Sequence, residues 1–242
     1  MKIITPSYKR AGDMKTVNIF GDDLIIAVHE FEIGEYQKEY PRNEFLQIPD
    51  SERGNMAKVR NFILNSYVNE EIIMIDDDVS KIGFHEKGIM TEAEKEHIMM
   101  FFEDGFQISK DIGTIMFGVN LQADPKFYRE YSPFSFLSPV LGTFTCINNI
   151  DVNIRYDERL GLNEDYDLFI QVMNKYRKVY RNNKWFYIAD HLKDEGGCCS
   201  YRIMDEERKQ AAIMEKKWGK NICRYKIEED TNPRINIPIS GI

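Results

Sequence analysis

The stretch Arg53–Val79, RGNMAKVRNFILNSYVNEEIIMIDDDV, decides the fold. Its first half places Val59, Phe62, Ile63 and Tyr67 at helical spacing, which predicts a helix over 57–67. Its second half, EIIMI at 71–75, is short, apolar and rich in β-branched residues, the pattern of a buried strand. That strand runs directly into Asp76-Asp77-Asp78. In open α/β sheets ligands sit beyond the carboxyl ends of strands, so three carboxylates are delivered to the place where ligands bind. Adjacent carboxylates repel one another unless positive charge lies among them. A hard divalent cation, Mn²⁺ or Mg²⁺, takes such oxygen ligands readily. The plainer alternative is a solvated acidic turn.

Working outward, the first half of the chain alternates short strands with helical patterns, the mark of an α/β sheet with crossover helices. Strands are predicted at 2–5 (ended by Pro6), 24–29 and 44–48. A helix is predicted over 91–110, opened by a capping box of Thr91 and Glu94. Beyond it come strands at 113–119 and 140–148, separated by a segment with Pro and Ser at 131–139. A helix over 160–176 follows, then a strand at 184–189 and a late helix over 206–218. No repeat, low-complexity tract or linker interrupts the 242 residues, so a single domain is expected. Within it, residues of about 1–110 would hold the donor and those of about 111–242 the acceptor.

A hydrophobic content of 43% with 30% charged residues excludes a disordered or fibrous chain. No apolar run approaches the ~18 residues of a membrane span, and MKIITPSYKR is not a signal peptide. Cys146, Cys198, Cys199 and Cys223 have neither metal-site nor secreted-scaffold spacing, so reduced thiols and a cytoplasmic location are expected. The net charge of −8 argues against a general nucleic-acid binder. Residues 171–226 nevertheless carry 14 Lys and Arg against 7 Asp and Glu, a stretch that could follow a polyanion or simply form a solvated helix face.

Gly54, Arg60 and Asn61 ahead of the acidic strand end, with ITPSYKR at the start, resemble the GT-A glycosyltransferases, particularly inverting family 2. The resemblance implies a Rossmann-like mixed sheet with flanking helices and a nucleotide-sugar donor, UDP-sugar being the commonest. It places Thr5, Pro6, Ser7, Tyr8 and Arg10 around the nucleoside and Arg60 on the nucleotide or diphosphate. Asp76 would touch the ribose and the metal, and Asp78 would ligate the metal. Asp77 joins the donor-binding group without a contact of its own. Glu164 and Asp165 match the acidic pair that the family sets at a helix N-terminus facing the sugar, with Asp165 as the base and Glu164 in support. A carboxylate is stabilised there by the helix dipole; ordinary capping is the plainer explanation. His191 is the candidate third metal ligand, with Asp190 competing. Gly196-Gly197 and Tyr201-Arg202 are candidates for a flap that brings Arg202 to the phosphates.

The compact size, DDDV and NEDYD most resemble the glycosyltransferases associated with TET/JBP oxygenases, mainly phage enzymes that glycosylate hydroxymethylated pyrimidines in DNA. Tyr176, Tyr180, Trp185, Tyr187, Trp218 and Tyr225 would then belong to a DNA-facing surface. Phe134, Phe136 and Phe144 would form a pocket for an extruded base. A protein, lipid-linked or polysaccharide acceptor remains open, as does a non-catalytic nucleotide-sugar-binding module. A nucleotidyltransferase is disfavoured because TPSYKRAG lacks a Gly-rich phosphate loop.

Overall fold

The computed structural model describes residues 1–189, 204–226 and 230–238. In chain order, β1 (Lys2–Pro6), α1 (Val17–Phe20), β2 (Leu24–His29), α2 (Ile33–Glu39), β3 (Glu44–Ile48), α3 (Met56–Ser66) and β4 (Glu71–Ile75) build the first half. They are followed by β5 (Val79–Glu86), β6 (Ile89–Glu92), α4 (Lys95–Asp111), β7 (Met116–Asn120), β8 (Phe134–Ser135) and β9 (Phe144–Asn148). The remainder comprises α5 (Glu164–Tyr176), β10 (Tyr180–Ala189), α6 (Met204–Trp218), β11 (Cys223–Lys226) and β12 (Asp230–Ile235).

Ten strands form one mixed sheet ordered β3-β2-β1-β4-β9-β7-β10-β5-β6, with β8 against β10; β11 and β12 make a separate hairpin. β1, β2, β3 and β4 are parallel, and β9 joins β4 antiparallel. The strands read as near-continuous apolar runs because both faces of the sheet are covered. Ile4, Ile25, Ile72 and Met74 point into a core shared with α3, α5 and α6. Their alternating neighbours Ile3, Ile26, Ile73 and Ile75 point into a second core with α1, α2 and α4.

The predicted strands and helices of the first half recur with small changes at their ends, and β1 runs through Pro6. The helix expected from Thr91 is the main correction: it starts at Lys95, and Thr91 lies in β6. Lys87 and Gly88, both at positive φ (50° and 75°), close a two-residue hairpin between β5 and β6. That pairing takes up the backbone of Thr91, and Glu94 becomes an N-cap without a side-chain bond. β7 and β9 begin three and four residues later than expected, and α5 starts at Glu164 instead of Leu160. β10 begins earlier, at Tyr180, and its register shift between Asn182 and Phe186 lets one strand pair with β7, β8 and β5. No helix among the described residues is long and apolar enough to cross a membrane.

Candidate active site

The carboxyl ends of β1, β2 and β4 open onto a cleft of about 450 Å³, closed on the far side by Leu141–Thr143 and by the entrance to α5. The backbone of the acidic triplet is pinned there. Asp76 N donates to Thr143 O at 3.0 Å, Lys15 N to Asp77 O at 2.8 Å, and Thr16 Oγ1 to Asp76 O at 2.6 Å. The three side chains then diverge. Asp76 accepts from Arg60 Nη2 at 3.0 Å. Asp77 is buried and accepts from Ser7 Oγ at 2.6 Å and Arg10 Nη1 at 2.5 Å. Asp78 lies 3.8 Å from the same guanidinium. Burial pushes the Asp77 carboxyl up to about 6, against the pull of Ser7 and Arg10.

Behind Asp77, Tyr36 Oη shares a hydrogen bond with Ser7 Oγ at 2.8 Å and accepts from Arg10 N at 2.9 Å. The loop after β1 is therefore shaped by Tyr36 and Asp77. Pro6, Ser7, Tyr8 and Arg10 all line the cleft. Thr5 does not: it is fully buried in β1, its Oγ1 without a hydrogen-bond partner. The alternation of side chains along the strand turns it away from the opening.

Arg60, expected on the nucleotide or diphosphate, is 4% exposed and forms the floor of the cleft. It bridges Asp76 to Glu164, with Nη1 3.5 Å from Glu164 Oε1. A Cβ at Gly142 would come within 2.2 Å of Arg60 Nη1, so only glycine lets the backbone lie over the guanidinium. Asp76 holds the Arg60 side chain charged even in this buried place, whereas burial pushes Glu164 up to about 8. One guanidinium shared by two carboxylates balances when Glu164 keeps its proton. Asp165 is half-buried and lines the cleft, accepting from Gly142 N at 3.1 Å and Tyr166 N at 2.7 Å.

Asn61, quoted in the sequence motif without a role, straps the segment that leads into α5. Its amide donates to Tyr156 O at 2.9 Å and to Glu158 Oε1 at 3.0 Å, while Tyr156 N donates to its Oδ1 at 2.8 Å. Asn55, the N-cap of α3, adds a bond to Glu158 O at 2.8 Å. His29, passed over in the sequence, also lines the cleft, 6% exposed and with Nδ1 unpartnered. Nothing in the sequence marks it, because only the sheet order brings the end of β2 beside the triplet. Asp167, which reads in the sequence as one more first-turn acid, is fully buried.

Asp76 and Asp78 present two hard oxygen ligands to the cleft, a donor set that fits Mg²⁺ or Mn²⁺ completed by phosphate oxygens. Among the described residues, no three His, Cys, Asp or Glu side chains converge into a ready metal shell. His191, Asp190, Gly196-Gly197 and Arg202 lie outside the described residues.

The rings expected to meet DNA are divided: Phe134, Tyr180 and Trp185 line a second groove, and the others lie elsewhere. Phe144 is in the core beside Phe102 and Tyr187, whereas Phe134 is 50% exposed against Tyr180, so they share no pocket with Phe136. Tyr180 and Tyr187 are buried, Trp185 stacks on Phe101 at 4.3 Å, and Trp218 donates to Asp167. Apolar burial claims these rings before solvent can. Of the cations in 171–226, Lys175, Arg208, Lys209, Lys217 and Lys220 are ion-paired within the chain.

A family model described as TET-associated glycosyltransferase matches residues 1–198. The chain belongs to the TET-associated glycosyltransferase family. It is a glycosyltransferase with a GT-A fold, as the resemblance implied. Glucosyl-3-phosphoglycerate synthase from Mycobacterium tuberculosis, in complex with phosphoglyceric acid, is similar at a TM-score of 0.55 and 10% identity over 93% of this chain and 83% of that one. The same enzyme with Mn²⁺, UDP-glucose and glycerol 3-phosphate gives 0.53 and 10% over 90% and 79%. A mycobacterial protein gives 0.55 and 8% over 89% and 73%. At these identities the likeness is one of fold. No curated protein matches this chain in sequence.

Proposed function

We propose that this glycosyltransferase moves a sugar from a nucleotide-diphosphate sugar, UDP-sugar foremost, to an acceptor hydroxyl with inversion, and that the acceptor is a hydroxymethylated pyrimidine in DNA. The observation that carries the proposal is the cleft itself, with Asp76 and Asp78 on one wall and Asp165 on the other. One domain would serve both substrates, the donor mainly through residues before about 110 and the acceptor through those after.

On the donor side, Pro6, Ser7 and Tyr8 flank the nucleoside and Asp76 its ribose, while Arg10 and Arg60 supply fixed positive charge facing the diphosphate. Asp78 and Asp76 would hold a divalent Mn²⁺ or Mg²⁺, which would supply positive charge against the departing diphosphate. On the acceptor side, Asp165 takes the proton of the hydroxyl as its oxygen attacks the anomeric carbon opposite the leaving group. The new C–O bond forms as the bond to the β-phosphate oxygen breaks, and the electron pair leaves with the nucleoside diphosphate. Glu164, holding its proton beneath Arg60, keeps the floor of the cleft neutral enough for an anion to enter. His191 and Arg202 remain a sequence-based expectation for the metal shell and the flap.

Metal and donor are supported by the two facing carboxylates and by the similar synthase structure that contains Mn²⁺ and UDP-glucose. DNA is supported by the family more than by the basic stretch, five of whose cations are ion-paired within the chain. The test is transfer from UDP-sugars to a duplex containing 5-hydroxymethylcytosine. Donor binding should vanish in EDTA and return with Mn²⁺; binding indifferent to EDTA would remove the metal from the proposal. Duplex affinity should fall as salt rises, and a flat response would count against a polyanionic acceptor.

A further inference from the structure

The family match ends at residue 198, yet α6, β11 and β12 all lie beyond it. Their contacts gather at the entrance to α5. Leu162 N donates to Gln210 Oε1 at 2.8 Å. Trp218 Nε1 and Lys217 Nζ each reach Asp167 at 2.8 Å, and Lys217 also reaches Asp157 at 3.0 Å. Gln210 is 2% exposed, and Met214 and Cys223 are sealed into the core of α3 and α5. On the open side, Asn232 of β12 lines the same cleft as Leu162, Asp165 and Tyr166. A spare tail would need none of this: a first-turn acid such as Asp167 is ordinarily solvated, and here it is fully buried.

We infer that this C-terminal unit is the acceptor-side wall of the cleft, α6 holding the α5 entrance where it aims Asp165, and Asn232 reading the acceptor. This rests on the role given to Asp165 under Proposed function. An asparagine amide both donates and accepts hydrogen bonds, so it suits an acceptor that offers both beside its hydroxyl, as the edge of a nucleobase does. Gln210, Lys217 and Trp218 are positioning residues, acting through Leu162 and Asp167.

The test uses the full chain with UDP-glucose, Mn²⁺ and a duplex containing 5-hydroxymethylcytosine, with UDP binding followed by calorimetry. Asn232→Ala should raise KM for the duplex by about fivefold or more, the worth of about one hydrogen bond, with UDP affinity within about twofold. Trp218→Phe keeps the packed ring and removes only the N–H to Asp167. It should lower kcat about tenfold, a loss of orientation, while duplex KM and UDP affinity hold. If the duplex is not glycosylated but UDP-glucose is hydrolysed, kcat for hydrolysis in Trp218→Phe should show the same loss. Unchanged kcat and KM in both variants, with Asp165→Asn inactive, would overturn this inference alone. Parallel loss of UDP binding in both variants would also overturn it, as the mark of a merely structural role. A wild-type chain that neither transfers nor hydrolyses would overturn Proposed function and this inference together.

Discussion

The strand end at Asp76–Asp78 and the helix entrance at Glu164–Asp167 are both acidic clusters, and the fold treats them alike. Each holds a buried carboxyl pushed above its ordinary range beside a less buried one in the cleft, and the helix entrance buries Asp167 as well. In the triplet the raised group is Asp77, pushed up to about 6; at the helix it is Glu164, pushed up to about 8. Asp76 and Asp78 line the cleft on one side and Asp165 on the other. They differ in what holds them. The triplet is set by its own strand, by the loop after β1, by Thr143 and by Arg60 of α3. The helix entrance is suspended between α3, through Asn55, Asn61 and Arg60, and α6, through Gln210 and Trp218. Burial thus raises one carboxyl in each cluster, Asp77 and Glu164.

The sharpest way to break this comparison is to neutralise the two helix-entrance carboxylates separately. Asp165→Asn should lower turnover about 10³-fold with donor binding retained, the loss of a general base. Glu164→Gln at neutral pH should cost less than about tenfold, because the amide reproduces a carboxyl that already carries a proton. Equal losses, read from steady-state rates, would erase the distinction between them.

Arg60→Met tests whether the two clusters share one cation. Removing it leaves Asp76 and Glu164 without their buried partner, at a cost of about 3–5 kcal/mol in denaturant unfolding. Donor binding should weaken with it. Asn61→Ala probes the suspension from α3 without touching charge. Losing both backbone bonds to Tyr156 should cost about 1–3 kcal/mol and lower turnover more than it weakens UDP binding.

The last test concerns pH. Glu164 rises from 4.5 to about 8 on folding, so its contribution to stability is full below about 4.5 and is lost as pH climbs through about 8. Glu164→Gln cannot ionise and lacks that loss. Its stability relative to wild type should therefore increase across this window, measured by urea unfolding at several pH values; a constant difference would mean that Glu164 is ionised throughout.

Much of this was legible in the chain. Apolar runs named β1, β2 and β4 because strands buried on both faces are written in local composition, and α3 showed its helical period. The β5–β6 hairpin was missed because its turn is Lys87-Gly88, a weaker signal than Asn-Gly, and because Thr91 and Glu94 imitate a capping box. The expected aromatic surface is divided for a related reason. Tyr180 and Tyr187 look alike in sequence whether they face solvent or core, and β10 buries both.

By itself, then, the sequence determined the class of fold and the two acidic clusters, since both follow from short-range pattern and residue chemistry. Only the tertiary structure decided which of these carboxylates are buried. That choice depends on Ser7 and Arg10 closing on Asp77 across 70 and 67 residues, and on Trp218 closing on Asp167 across 51. Contacts at such separations are set by how the sheet and helices pack, and packing leaves no mark in local sequence.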